Sequence, residues 1–191
     1  MKLNNNVSAL SEDEFGKLAA AVFGRIEKEG GWLPKEAYFA KVRAFPTLFT
    51  EIVCVCQGKD GEMEILLEKR PLDDSYWPGQ YCTQGITVMP RQTILGVAKN
   101  HAGKECGIPI VPGEELEFAG CAHMPRTKRE HALSMIFIRR LHKKPEKFSG
   151  EWHPLGKLPG NFIAHMTKSV IPVVRFYLST GIPAFEEYRG K

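Results

Sequence analysis

The chain has 191 residues, 43% hydrophobic and 25% charged, with 18 Gly, 13 Pro and a formal net charge of +4, which excludes a disordered, collagenous or coiled-coil protein and suits one sizeable globular core. The longest clean apolar stretch, Leu133 to Ile138, contains Ser134 and falls far short of the roughly 20 residues of a membrane span. Met1-Lys2-Leu3-Asn4-Asn5-Asn6 lacks the apolar run of a secretory signal, and five cysteines without framework spacing point to a reduced, cytoplasmic protein.

Ser11-Glu12-Asp13-Glu14 is a capping-box pattern, and Phe15, Leu18, Ala19, Val22 and Ile26 follow at helical spacing until Gly30-Gly31. Pro34 begins a second predicted helix with Tyr38, Val42 and Phe45 on one face, ended by Pro46. These helices form an N-terminal extension over residues 1–47. From Leu48 the period becomes two: Phe49, Glu51, Val53 and Val55 alternate with Thr50, Ile52, Cys54 and Cys56, and Lys59-Asp60-Gly61 turns the chain into Met63, Ile65 and Leu67. An irregular stretch, Pro71 to Gly85, leads to a helix between Thr93 and Cys106 that Gly107 closes. Leu116 to His123 and His131 to His142 read as an antiparallel pair, and Glu151 to Leu155 as a short strand. Asn161 to Ser179 is helical, with Pro172 predicting a kink or two helices. Strands and helices mix in one α/β (α+β) domain over residues 48–191.

Charge is uneven, because residues 123–147 hold eight Lys/Arg against two Glu. Such a cluster either blocks an edge strand or meets an anion. It lacks the interleaved aromatics that would stack bases, which argues against nucleic acid.

Around the central helix, Gly79-Gln80-Tyr81, Gly85, Val88, Pro90 and Gln92, then Asn100, His101, Lys104, Glu105, Gly107 and Ile108, resemble the Nudix box without a gap. That box reads G-x-W-x-x-P-G-G-x-V-E-x-G-E and continues into a helix ending R-E-U-x-E-E-x-G-U, U being apolar. Ile65-Leu66-Leu67-Glu68-Lys69-Arg70 resembles the Nudix strand ending in Lys/Gln-Arg, and Glu151-Trp152-His153-Pro154-Leu155 with Leu158-Pro159 resembles the turn before the C-terminal helix. The resemblance covers about residues 48–180 and implies a Nudix-like α/β/α sandwich with a mixed sheet.

In that family glutamates along the box helix bind Mg2+ or Mn2+, hard cations that need oxygen ligands, and the metal activates water against a diphosphate. This chain keeps Glu105 alone among those carboxylates, with Gln92, Asn100, His101 and Lys104 at the other charged positions and Ile86 at the second glycine. Mg2+ or Mn2+ binding is therefore weakened. The resemblance points to Glu105 and Glu130 as catalytic groups and to Glu105 with His101 as metal ligands. Arg70, Trp77, Gly85, Lys104, Arg126, Lys128 and Arg129 are the candidate ligand contacts: cations for phosphate, an aromatic face for a ring, and a glycine where the backbone approaches a ligand. Lys104 either stands in for the missing metal or points to solvent. Cys54-x-Cys56 and Cys121-x-His123 pair possible ligands, yet cysteine serves commonly as a small core residue, and no cysteine lies in a nucleophile signature.

The leading expectation is a Nudix-fold protein with a degenerated metal site, binding a nucleotide-like or phosphorylated small molecule with little hydrolysis. An active pyrophosphohydrolase with a relocated metal site is the alternative. A further alternative is an interaction module that forms a homodimer through the N-terminal helices.

Overall fold

The computed structural model describes residues 9–28, 33–104, 110, 115–125 and 127–188, with the side chains of residues 39, 42 and 43 outside that description. Gly30-Gly31, Glu105, Cys106, Gly107, Ile108, Arg126 and the side chain of Val42 therefore lie outside the described residues.

α1 (Glu12–Lys28) opens on the reciprocal cap its sequence predicts: Ser11 N–H and Oγ–H donate to Glu14 Oε2 at 2.9 and 2.7 Å. Its apolar stripe is not covered, and Phe15, Leu18, Val22 and Phe23 stay about half exposed. Contact with the body runs through its C-terminal half, where Phe23 meets Phe45 edge-on at 6.0 Å and Glu27 pairs with Arg91 at 2.9 Å. α2 (Lys35–Ala44) follows Pro34, and its Tyr38 hydroxyl lies 3.3 Å from Thr87 Oγ1.

β1 (Thr47–Gln57) is buried along almost its whole length because both of its faces are covered. One edge runs parallel to β6 (Ala132–Leu141), while the other is shared by β4 (Gln84–Thr87), at Phe49 to Ile52, and β2 (Met63–Lys69), at Val55 to Gln57. The sheet runs β3-β2-β1-β6-β5-β8, with β3 at Tyr81–Cys82, β5 at Glu117–Met124 and β8 at Ala184–Glu187; β7 (Glu151–Pro154) pairs with β2. Ile52, Cys54, Leu66 and Phe137 pack under Ala98 and Ala102 of α3 (Ile94–Lys104). Phe49, Val53, Val55, Ile136 and Ile138 form the opposite core with Val170 and Val174 of α5 (Val170–Thr180), which follows α4 (Ala164–Lys168). The predicted α/β/α sandwich with a mixed sheet is the fold observed.

Three local features were not legible in the sequence. The irregular stretch carries β3 and β4, too short for an alternating pattern to register. The C-terminal helical segment is two helices, as expected, but it divides at Ser169 (φ −129°, ψ −55°), whose Oγ–H donates to His165 O at 2.6 Å, and not at Pro172. Pro172 instead occupies the first turn of α5, where its missing N–H costs no helix bond. β8, four residues held parallel to β5 with Tyr188 N–H donating to His123 O at 2.8 Å, had no periodic signal at all.

Candidate ligand pocket

A pocket opens on the α4 face of the sheet, between β1, the β5–β6 loop and the chain before β3. Alternation along β1 puts Glu51 on the same face as Phe49 and Val53, so a carboxyl sits within the apolar stripe, 3% exposed. Thr83 Oγ–H donates to Glu51 Oε2 at 2.8 Å and Ser134 Oγ–H to Oε1 at 3.4 Å. Burial, reinforced by Glu130 and only partly offset by the two hydroxyls and Arg129, pushes Glu51 up to about 7. Gly85 faces it across the β1–β4 pair: a Cβ there would stand 2.5 and 2.7 Å from the two carboxylate oxygens. Its φ is not positive, so this glycine is needed for the approach of Glu51 rather than for a turn. Ile86 continues the same strand opposite Thr50, its branched side chain accommodated by extended backbone.

The aromatic wall is fixed by Asp74. Tyr76 N–H and Trp77 N–H donate to Asp74 Oδ1 at 2.9 and 2.8 Å, and Arg70 Nε–H to Oδ2 at 3.0 Å. Burial opposes ionisation, but these backbone donors and the guanidinium outweigh it and hold Asp74 at about 2. Trp77 is buried with Cys82 and Ile163 while also lining the pocket, and the His165 ring packs against it at a tilt of 52°, with centroids 5.2 Å apart. Burial, then the field of Arg129, brings His165 down to about 4, so it is neutral near pH 7. Cys82 is pushed up to about 12 by burial and Glu68, which leaves an inert thiol.

Arg129 and Glu130 close the pocket. The Arg129 guanidinium lies 5.0 Å from the Trp77 ring centroid and 6.0 Å from that of Phe49, and Nη2–H donates to Glu130 Oε1 at 2.5 Å. Glu130 is 7% exposed, with Oε2 buried and unpaired, as is Arg129 Nε. With the Arg129 side chain in place, the remaining cavity of about 60 Å³ admits a few waters, and a planar ring enters only where that guanidinium moves out.

Of the sequence candidates, the structure gathers Arg70, Trp77, Gly85, Arg129 and Glu130 around this pocket. Lys128 is exposed on an adjoining groove with Trp77 and His165. Lys104 is exposed at the end of α3, and His101 is buried on α3 beside Ala102; neither lines the pocket. Glu105 and Arg126 lie outside the described residues. Gln92 accepts a hydrogen bond from Met89 N–H at 2.9 Å and so serves its own turn. The basic segment is dispersed: Arg139 is buried, Arg140 pairs with Glu117 at 2.8 Å and Lys144 with Glu64 at 2.6 Å. Glu51, Asp74 and His165 escaped the sequence reading, although a glutamate within the Phe49-Val53-Val55 stripe and an Asp three residues before Trp77 are signals of the right kind.

α3 (Ile94–Lys104) carries no carboxylate that could hold a hard divalent cation. Residues 92–105 contain a single carboxylate, Glu105, and no three His, Cys, Asp or Glu among the described residues come together as a metal group.

No protein-family model matches the chain, and no curated protein matches it. Solved structures do. A MutT/nudix family protein from Listeria innocua superposes with a TM-score of 0.56 at 16% identity, covering 74% of this chain and 98% of its own. The NUDIX domain of Shewanella oneidensis NrtR, solved with ADP ribose, gives a TM-score of 0.53 at 16% identity, with coverage of 76% and 99%. A C. elegans Ap4A hydrolase gives 0.50 at 16% identity, with coverage of 71% and 99%. At this identity the likeness is one of fold, and the fold is the Nudix fold.

Proposed function

We propose that this Nudix-fold chain binds a nucleotide-like or phosphorylated small molecule in the pocket formed by Trp77, Arg129 and Glu130, with little Mg2+-dependent hydrolysis. The observation that carries the reading is the pairing of a built polar pocket with a box segment holding one carboxylate. A solved Nudix neighbour holding ADP ribose and another that is an Ap4A hydrolase support a nucleotide-like ligand. Arg70, oriented by Asp74, and Lys128 at the rim supply the cations for its phosphates. Cys54, Cys56, Cys82 and Cys121 are joined in no disulfide, which suits a reduced, cytoplasmic setting, and among the described residues no helix is long and apolar enough to cross a membrane.

Without a fitting metal, the chain's own groups bind and orient. Trp77 offers a ring face, Glu130 accepts N–H donors, and the rim cations screen phosphate charge. Glu105 remains the candidate carboxylate of the alternative, an active pyrophosphohydrolase.

Calorimetric titration with nucleoside diphosphates, ADP-ribose and dinucleoside polyphosphates tests binding, and phosphate release with Mg2+ and Mn2+ tests turnover. Binding weakened by Arg70→Ala with Lys128→Ala, together with negligible turnover, is the expected result. Turnover near the median enzyme scale of about 10 per second, abolished by Glu105→Gln, would instead establish the hydrolase.

A second reading rests on α1, whose exposed Phe15, Leu18, Val22 and Phe23 form a stripe that a second copy of the chain would cover. Sedimentation over a dilution series shows a concentration-dependent mass if this homodimer forms, and Leu18→Glu abolishes it.

A further inference from the structure

Three glutamates line this pocket; Glu68 is half-buried, and the two buried ones, Glu51 and Glu130, are not equivalent. Glu51 is the deeper, and both its oxygens already accept hydroxyl hydrogen bonds, from Thr83 and Ser134. Glu130 uses one oxygen for Arg129 and has the other, Oε2, buried without a partner. A buried carboxylate oxygen left unpaired demands a donor. Lys41 lies close enough to feel the charge of Glu130, but its ammonium donates to Thr47 Oγ1 at 3.3 Å.

The group now before Glu130 is a planar cation rich in N–H donors, within cation–π reach of both Phe49 and Trp77. It is poorly served there, since Arg129 Nε is itself buried and unpaired. The side chain of Arg129 therefore describes the ligand while satisfying the site incompletely. A free ring whose edge carries two adjacent N–H donors would give Glu130 a two-point hydrogen bond and lie on the same aromatic wall, releasing Arg129 to the rim.

We propose that the pocket selects a planar group presenting two adjacent N–H donors, an amidine-type edge such as that of a guanine ring, with Glu130 as the specificity-determining residue and Arg129 as its occupant in the free chain. The assignment rests on the pocket being a ligand site, as proposed above, and adds the chemistry of the ring. It separates guanine-type rings from those lacking the second donor, such as hypoxanthine and uracil, because a two-point pair is worth about 1–3 kcal/mol of discrimination, or roughly a factor of 5 to 150.

The test titrates the full chain with GDP, IDP, UDP and benzamidine, the last presenting an amidine edge without phosphate. The expected result is GDP bound at least fivefold more tightly than IDP or UDP, with Glu130→Gln bringing that ratio within twofold. Benzamidine should bind, lose affinity in Glu130→Gln, and gain at least threefold in Arg129→Ala, which empties the site. Equal affinity of the wild-type chain for GDP, IDP and UDP overturns the assignment and leaves nucleotide binding standing. Benzamidine bound in a Glu130-dependent way, with no nucleotide bound, sustains the assignment and removes the nucleotide reading. Comparing ligands on the wild-type chain keeps the test decisive if Glu130→Gln fails to fold.

Discussion

Glu51→Gln should flatten the pH dependence of stability near neutrality. The folded-state value of about 7 stands against an ordinary 4.5 for the exposed chain, and burial of the carboxyl is the first cause. With the folded value raised, the native state holds its proton where the unfolded state has released it. The stability of the wild type is therefore fullest below about pH 4.5, declines as pH rises through the interval up to about 7, and levels off above it. The interval between the two values corresponds to about 3 kcal/mol, most of it lost by neutrality. Glutamine keeps the shape, its carbonyl oxygen accepting from one of the two hydroxyls and its NH2 donating to the other, but does not ionise. The difference in unfolding free energy, Glu51→Gln minus wild type, should thus rise by about 2–3 kcal/mol between pH 5 and pH 8. For a chain of this length that is roughly 5–10 °C in Tm. Urea unfolding of both proteins at the two pH values measures it, and taking the difference cancels groups common to both. A difference that stays constant within about 0.5 kcal/mol would show that Glu51 does not titrate as a buried carboxyl, and the pocket floor would need another description.

Gly85→Ala should destabilise by about 1–3 kcal/mol, because its Cβ would stand 2.5 Å from Glu51 Oε1; in a double-mutant cycle Glu51→Ala should relieve most of that cost. Asp74→Ala removes the acceptor for Tyr76 and Trp77 N–H, costing about 1–2 kcal/mol in denaturant unfolding and shifting tryptophan emission to the red as solvent reaches the buried Trp77. With Asp74 held at about 2 against 3.8, its contribution is present above the ordinary value and lost as pH falls toward 2, so Asp74→Asn should unfold with a shallower acid dependence. Cys82, pushed up to about 12 and buried, should resist iodoacetamide in the folded protein and react only in denaturant, as mass spectrometry of the labelled peptides will report.

Much of this molecule is written in local pattern. The cap at Ser11, the two-residue period of Phe49 to Cys56 and the helix start at Thr93 each depend on neighbours within a few residues, so the sequence alone placed α1, β1, β2, α3, β5, β6 and β7. The gap-free register from Gly79 to Gly107 likewise identified the fold that the solved neighbours share. What the tertiary structure decided is who faces whom. β8 exists because β5 offers it an edge, Pro172 is harmless because Ser169 breaks the helix three residues earlier, and Gly85 matters because Glu51 lies across the ladder. The basic segment reads as one cluster in sequence, yet the fold sends Arg129 inward to Glu130 and pairs Arg140 and Lys144 with acids on other strands. Helix caps and strand periods are short-range effects set by backbone geometry, whereas the pocket is assembled from β1, the chain before β3, the β5–β6 loop and α4, segments brought together only by burying the two cores.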